Sequence, residues 1–333
     1  MQIQIKSLEV KNCGPLRDVI IDFTTNNTPR PVTILGGANG SGKTTVLELI
    51  FALTRLLAYK DIPSDWSQHE GMHILTRAKE ARLNLSVDNR NLTISYGQLI
   101  PSNQGESISF VFSFGNEELI EYGDRAYQIR GLMDEQKEEK VGDVTSNKDS
   151  TYLPSILYFP DYRRLQSIEG RQITREDVLY QWTYRYDIVR SFEGSLDSYL
   201  VWLDYAHPES FAEVKQFLNQ TVLVGKAIEG VNRPELATMI KLADGQTHRL
   251  DELSSGEQNL LIIMLELRRR LLPGSIVLID EIENSLHPAF QHLLAEALLK
   301  LQQQVPFQLI VTTHAPSFLD AFGAESALLL TEF

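Results

Sequence analysis

Eight consecutive residues constrain this chain more than any others. Gly37-Ala38-Asn39-Gly40-Ser41-Gly42-Lys43-Thr44 lies between two apolar runs, Pro31-Val-Thr-Ile-Leu-Gly36 and Thr45-Val-Leu-Glu-Leu-Ile-Phe-Ala-Leu53. The first run predicts a buried strand and the second a buried helix, the setting in which a glycine-rich turn cradles phosphate. Gly37, Gly40 and Gly42 permit backbone conformations closed to residues with a Cβ, so successive N–H groups can converge on phosphate oxygens. The helix starting near Gly42 adds its partial positive charge. Lys43 is expected to reach the β and γ phosphates of a nucleoside triphosphate. The Thr44 hydroxyl is expected to ligate Mg²⁺, which prefers oxygen donors. A glycine-rich turn that merely contains Lys-Thr is the plainer alternative, and the flanking strand and helix weigh against it.

Composition narrows the class. With 333 residues, 43% of them hydrophobic, the chain can bury a sizeable core as one large or two modest domains. A single cysteine, Cys13, excludes a disulfide framework and an all-thiolate metal site. No N-terminal apolar run resembles a signal peptide, and no segment approaches the ~20 apolar residues of a membrane span. A cytoplasmic protein without membrane insertion is therefore expected. The net charge of -13 argues against coating nucleic acid by bulk electrostatics, although a local basic patch remains open. Two clusters could supply one: Arg163, Arg164, Arg171 and Arg175, and the triplet Arg268-Arg269-Arg270. Acids accompany both, which favours solvated faces or internal ion pairs.

Along the chain, alternating apolar residues (Ile3, Ile5, Leu8, Val10, then Val19, Ile21, Phe23) predict half-buried strands leading to the loop. Ala81–Val87, Leu92–Tyr96, Ser107–Phe114 and Tyr127–Arg130 read as further strands of an antiparallel sheet, and residues 134–150 as a mobile surface loop. From about 166 to 225 apolar residues recur at helical spacing: Leu179, Trp182 and Tyr186, then Leu196, Tyr199, Leu200 and Leu203, then Phe211, Val214, Phe217 and Leu218. Trp182, Tyr184, Tyr186, Trp202 and Tyr205 invite a base-stacking reading, but aromatics at such spacing are more often core.

The last third carries a second set of chemical groups. Ser275-Ile-Val-Leu-Ile-Asp280-Glu281 is an apolar strand ending in two acids, as expected of a buried parallel strand whose C-terminal end faces a ligand crevice. Asp280 is expected to bind Mg²⁺, through water, and Glu281 to act as general base toward the attacking water. Leu309-Ile-Val-Thr-Thr-His314 is a second such strand, ending in a histidine that could bond the γ-phosphate or the water. Leu253-Ser254-Ser255-Gly256-Glu257-Gln258 fits an ordinary Ser-x-x-Glu capping box ahead of a helix. The same geometry offers N–H groups, hydroxyls and a favourable dipole to a phosphate.

Together, the phosphate loop, Leu253–Gln258, Ile276–Glu281 and His314 resemble the ATP-binding-cassette (ABC) ATPases. Within them the chain is similar to the branch of RecF, the Rad50 and SMC heads, and the OLD-type ATPases. Glu257 stands where transporters usually carry Gln, Leu8–Leu16 is similar to the RecF and SMC N-terminal strand, and Asp280–Pro288 resembles the OLD-type form. The resemblance implies an α/β P-loop NTPase fold of ABC type: a mixed sheet, an antiparallel β subdomain and a helical lobe. It implies two heads sandwiching two ATP molecules, with Ser254 touching the γ-phosphate bound to the other subunit, accompanied by Ser255, Gly256 and Glu257. Glu283, Asn284, Ser285 and Leu286 become the loop crossing that interface. Thr45, Lys11 and Asn12 border the nucleotide, and Gln166, after Tyr158-Phe-Pro-Asp161, becomes the Mg²⁺-sensing glutamine.

Ser255 departs from the usual first glycine of the signature pair, and no long heptad segment interrupts the helical middle. Nor does the stretch after His314 leave room for an added nuclease domain. The expectation is an ATPase module with residues 1–165 as its N-terminal part, 166–252 as helical lobe and return strands, and 253–333 completing the ATPase lobe. ATP-driven dimerisation would control DNA, or a separate effector such as a nuclease, in prokaryotic DNA repair or anti-phage defence. The alternatives are the ATPase subunit of an ABC transporter and a nucleotide-gated binding module with negligible turnover.

Overall fold

The computed structural model describes residues 1–58, 65–69, 71–97, 111–114, 131–133, 135–136, 153–163, 165, 173, 180–186 and 196–330. The chain opens with strands β1 (Ile3–Cys13) and β2 (Leu16–Asp22) and the short pair β3 (Thr24–Thr25) and β4 (Thr28–Pro29). Strand β5 (Val32–Gly36) leads through the glycine-rich loop into helix α1 (Lys43–Leu56). A single helical turn, α2 (His73–Thr76), precedes β6 (Ala78–Val87), β7 (Arg90–Gly97) and β8 (Val111–Phe114). Strands β9 (Ile156–Phe159) and β10 (Thr183–Arg185) come next, then helices α3 (Leu196–Ala206) and α4 (Pro208–Thr221). A meander of β11 (Lys226–Asn232), β12 (Ala237–Leu242) and β13 (Thr247–Arg249) leads to helix α5 (Ser255–Arg270). The chain closes with β14 (Ser275–Ile279), α6 (Pro288–Gln304), β15 (Phe307–Thr312), α7 (Pro316–Phe322) and β16 (Ala327–Leu329).

Six of these strands form one parallel sheet in the order β10-β9-β14-β15-β5-β16. Five form an antiparallel sheet, β2-β1-β6-β7-β8, and β11-β12-β13 form a third. The four inner strands, β9, β14, β15 and β5, are largely apolar and buried because both of their faces are covered. Successive residues alternate between two cores: Ile276 and Leu278 join Ile156, Ile310 and α1, while Val277 and Ile279 join Leu157, Leu309, Val311 and α5.

Helix α1 is wedged between the two large sheets. Its Val46, Leu49, Ile50 and Leu53 are fully buried against Leu8, Leu83 and Ile94 of the antiparallel sheet. Burial of such side chains contributes roughly 1.5–3 kcal/mol each, so packing rather than capping anchors this helix. Its N-cap is Gly42, which has no side chain to bond the first N–H groups. Those donors point into the loop and stay available to a ligand.

One expectation needs correction. Trp182 and Tyr186 do not lie on a helix: Thr183–Arg185 runs parallel to β9 as the outermost strand of the main sheet. Tyr180, Trp182, Tyr184 and Tyr186 also repeat every second residue, the strand period, and the open edge of β9 decides between the two patterns. Trp182 is core, and its indole N–H donates to the Thr54 carbonyl at 2.9 Å. Tyr186 is buried as well, whereas Tyr205 is 67% exposed. Leu179, Tyr127–Arg130, residues 137–150 and the first part of Ser107–Phe114 fall outside the described residues.

Candidate nucleotide site

The glycines of the loop are required by their surroundings. At Gly42 (φ 95°) an added Cβ would stand 2.7 Å from the Leu16 side chain, because the β1–β2 turn packs directly on the loop. At Gly37 (φ 152°) it would stand 2.7 Å from both the Leu330 carbonyl and the Ser41 hydroxyl. Ala38, Asn39, Gly40 and Thr44 are exposed, Thr45 is half-buried, and Ser41 is buried with no partner for its hydroxyl among the described residues. Lys43 is buried to 7% exposure, and its ammonium donates to the Gly37 and Ala38 carbonyls at 3.1 and 3.0 Å. The loop thus holds its own cation through two of its backbone carbonyls.

Strands β14 and β15 end side by side, which brings the two acids to a shared hydroxyl. Thr312 Oγ1 donates to Asp280 Oδ1 at 2.6 Å and accepts the Glu281 N–H at 2.7 Å. Sequence reasoning passed over Thr312, since a threonine at a strand end carries no signal of its own. Asp280 is 1% exposed, and its Oδ2 is buried without a hydrogen-bond partner among the described residues. Burial raises the Asp280 pKa, partly offset by the hydroxyls of Thr312 and Thr44. Glu281 takes a left-handed backbone (φ 41°). Burial raises its pKa, followed by the charges of Asp280, Asp161 and Glu283, with His314 opposing.

An orphaned carboxylate oxygen facing a threonine hydroxyl is an oxygen-only donor pair. It fits a hard divalent cation that keeps most of its waters. Among the described residues no group of three or more His, Cys, Asp or Glu forms a closed metal cage.

A raised carboxyl pKa in the folded protein means stability present below the ordinary carboxylate range and lost as pH rises through the folded value. The ionised Asp280 is therefore a burden on the ligand-free protein at neutral pH. Asp280→Asn is expected to raise the ligand-free Tm at pH 7 by a few degrees, with the gain vanishing near pH ~4, while abolishing cation-dependent turnover. Melting curves at the two pH values check this; an unchanged or lower Tm at pH 7 contradicts it.

Helix α5 begins as the sequence pattern suggested, with a capping box. Ser254 Oγ accepts the Glu257 N–H at 3.4 Å, and the Glu257 carboxylate accepts the Ser254 N–H at 3.2 Å. Ser254 and Ser255 are exposed. Glu257 is 5% exposed, with its carboxylate bound by Lys226 at 2.8 Å, so burial is outweighed and its pKa falls. Gly256 is buried against the following loop: a Cβ there would meet the Ser285 carbonyl at 2.6 Å.

His314 is exposed at the end of β15, and its backbone N–H donates to Glu283 Oε1 at 2.5 Å. Asn12 (φ 51°) and Lys11 lie at the end of β1, near the turn that packs on Gly42; the Lys11 ammonium is paired with Glu80 at 3.0 Å. Gln166 falls outside the described residues.

Neither arginine cluster is a surface patch where it is described. Arg163 is 5% exposed, and Arg164, Arg171 and Arg175 fall outside the described residues. Arg269 and Arg270 both bond the buried Glu266, at 2.8 and 2.7 Å, and lie over the rings of Tyr199 and Tyr184. Arg268 lies over Phe217, 5.1 Å from its centroid. Tyr199 and Phe217 on helices α3 and α4 and Tyr184 on strand β10 take up these cations.

A phosphate loop on the edge-to-centre strand β5, paired acids after β14, and a capped signature helix are the parts of an ABC-type P-loop ATPase. The chain belongs to the family described as "AAA domain, putative AbiEii toxin, Type IV TA system", whose model matches residues 32–320. It is similar to the "Retron Vc95 probable ATPase" of Vibrio cholerae serotype O1 biovar El Tor, 24% identical over 381 residues, covering 94% of this chain and 71% of that protein. A shorter match, to the "Retron Ec83 probable ATPase" of Escherichia coli, is 36% identical over 90 residues, covering 24% of this chain and 16% of that protein. Among solved structures it is similar to the SMC head domain from Thermotoga maritima (TM-score 0.43, 15% identity, 96% and 92% of the two chains). It is also similar to a bacterial ABC transporter cassette solved as a dimer (TM-score 0.39, 15% identity, 99% and 94%).

Proposed function

We propose that two copies of this ATPase close on ATP, each completing the other's site, and that closure controls a separate effector. One observation carries this reading. Ser254 and Ser255 are exposed at a capped helix N-terminus, and among the described residues neither is bonded to the chain's own phosphate loop. Such a terminus offers donors and a favourable dipole to a phosphate arriving from outside. In the closed pair, Gly37 to Thr44 hold the triphosphate, Thr44 and Asp280 hold Mg²⁺, and Ser254 of the second copy completes the γ-phosphate shell. Glu281 takes a proton from the attacking water, and the exposed His314 side chain stands beside it.

The names of the retron relatives support a role in prokaryotic defence. A net charge of -13, the burial of Arg163, Arg268 and Arg269, and the pairing of Arg270 with Glu266 favour a protein effector such as a nuclease over DNA as the direct partner. No described helix is long and apolar enough to cross a membrane. Because association follows mass action, specific activity is expected to rise with protein concentration to a plateau. Specific activity that stays constant down to the lowest concentration at which phosphate release is measurable would overturn the two-copy site.

A further inference from the structure

Arg163 is the most heavily bonded side chain in the site, and nothing in the phosphate chemistry uses it. It follows β9 and turns back under the acidic turn. Its Nη1 donates to the Asp280 carbonyl at 2.6 Å and the Pro160 carbonyl at 2.5 Å, and its Nη2 donates to the Glu281 carbonyl at 2.8 Å. Its Nε donates to Asn259 Oδ1 at 2.6 Å, on the second turn of α5. Every one of these acceptors is neutral, and among the described residues no carboxylate makes an ion pair with it. Burial lowers its pKa to about 10, against the pull of Asp280 and Asp161. A guanidinium kept this deep without an ion pair costs stability, and such local violations gather where function requires them.

The bonds form a closed path. Asn259 Nδ2 donates to the Asn284 carbonyl at 2.6 Å, and Asn284 Nδ2 donates to the Asp161 carbonyl at 2.7 Å, two residues before Arg163 itself. The path therefore ties together the start of α5, the loop after Glu281, the end of β9 and the carbonyls of both acids. A planar fork with donors in several directions can hold those acceptors at once, which a lysine cannot.

We propose that Arg163 is a positioning residue for hydrolysis, transmitting the placement of the α5 N-terminus to Glu281 through Arg163, Asn259, Asn284 and Asp161. This deepens the two-copy reading and rests on it, since α5 has something to transmit only when Ser254 meets the nucleotide of the other copy. The path makes turnover in one site depend on the seating of the signature helix, without any change in the phosphate loop.

Two substitutions test this in the full chain. Arg163→Lys keeps the charge and loses the fork. Asn259→Asp keeps an acceptor for Arg163 and adds an ion pair with it, but removes the donor to the Asn284 carbonyl; a melting curve beside the kinetics shows that the variant is folded at the assay temperature. Each is expected to lower kcat by roughly 10- to 100-fold, the scale of small misplacements of reacting groups, with KM for ATP within about twofold of wild type. In the double variant kcat should be no lower than in the slower single variant, because both act on one path.

Wild-type kcat in Asn259→Asp, or a KM that moves in step with kcat, would overturn the proposal, as would losses that multiply. If Arg163→Lys fails to fold, Asn259→Asp alone decides the matter. All assays run at protein concentrations on the wild-type plateau. A flat wild-type concentration dependence refutes the two-copy reading separately from the kinetic split.

Discussion

Glu281→Gln is expected to lower ATP turnover by about a thousandfold while ATP binding persists. A positioned general base contributes roughly 10²- to 10⁴-fold, and the amide keeps the size of the side chain while removing the base. The local fold should survive, because the backbone bonds at this residue are untouched: its N–H still reaches Thr312 Oγ1 and its carbonyl still receives Arg163. Loss of the negative charge also removes the cost of burying it and the repulsion from Asp280, Asp161 and Glu283, which together raise the Glu281 pKa. The variant should therefore accumulate as an ATP-bound pair, visible by size-exclusion chromatography in ATP, with phosphate release nearly absent. In the wild type, the raised pKa means that activity falls off on acidification at a higher pH than for an ordinary glutamate. Full turnover by a strictly monomeric Glu281→Gln protein would end the composite-site reading.

Lys43→Ala is expected to weaken ATP binding by about 100- to 10,000-fold. Charge-assisted hydrogen bonds contribute roughly 1.5–3 kcal/mol each, so two to phosphate oxygens come to about 3–6 kcal/mol, or roughly two to four decades in Kd. Without ligand, the ammonium is held by the Gly37 and Ala38 carbonyls of its own loop. Those bonds are exchanged for phosphate contacts on binding, so the ligand-free melting temperature should move far less than the affinity. Titration with a fluorescent ATP analogue, beside a melting curve, measures both. Wild-type affinity in this variant would remove Lys43 from the phosphate shell.

Much of the site was legible before any coordinates. The glycine spacing of the loop, the acids closing an apolar run and the Ser254 with Glu257 capping pattern are all local, and local patterns carry their geometry with them. Trp182 and Tyr186 were misread for the opposite reason. Their spacing suits a helix and a strand equally, and only the pairing of Thr183–Arg185 with β9 separates the two. The arginines were ambiguous in the same way: Arg163 and Arg268–Arg270 resemble surface charge until the rings and carbonyls around them are seen.

By itself the amino-acid sequence determined that a glycine-rich loop from Gly37 to Thr44 joins a buried strand to a buried helix and that Asp280 and Glu281 close an apolar strand of a parallel sheet. Glycine freedom, helix starts and apolar periodicity act over a few residues. Only the tertiary structure decided which groups hold those acids in place. Thr312 lies 31 residues from Glu281, and Arg163 lies 96 from Asn259 and 118 from Glu281. Hydrogen bonds across such separations exist only once strands β9, β14 and β15 have been laid side by side, and no local pattern announces them.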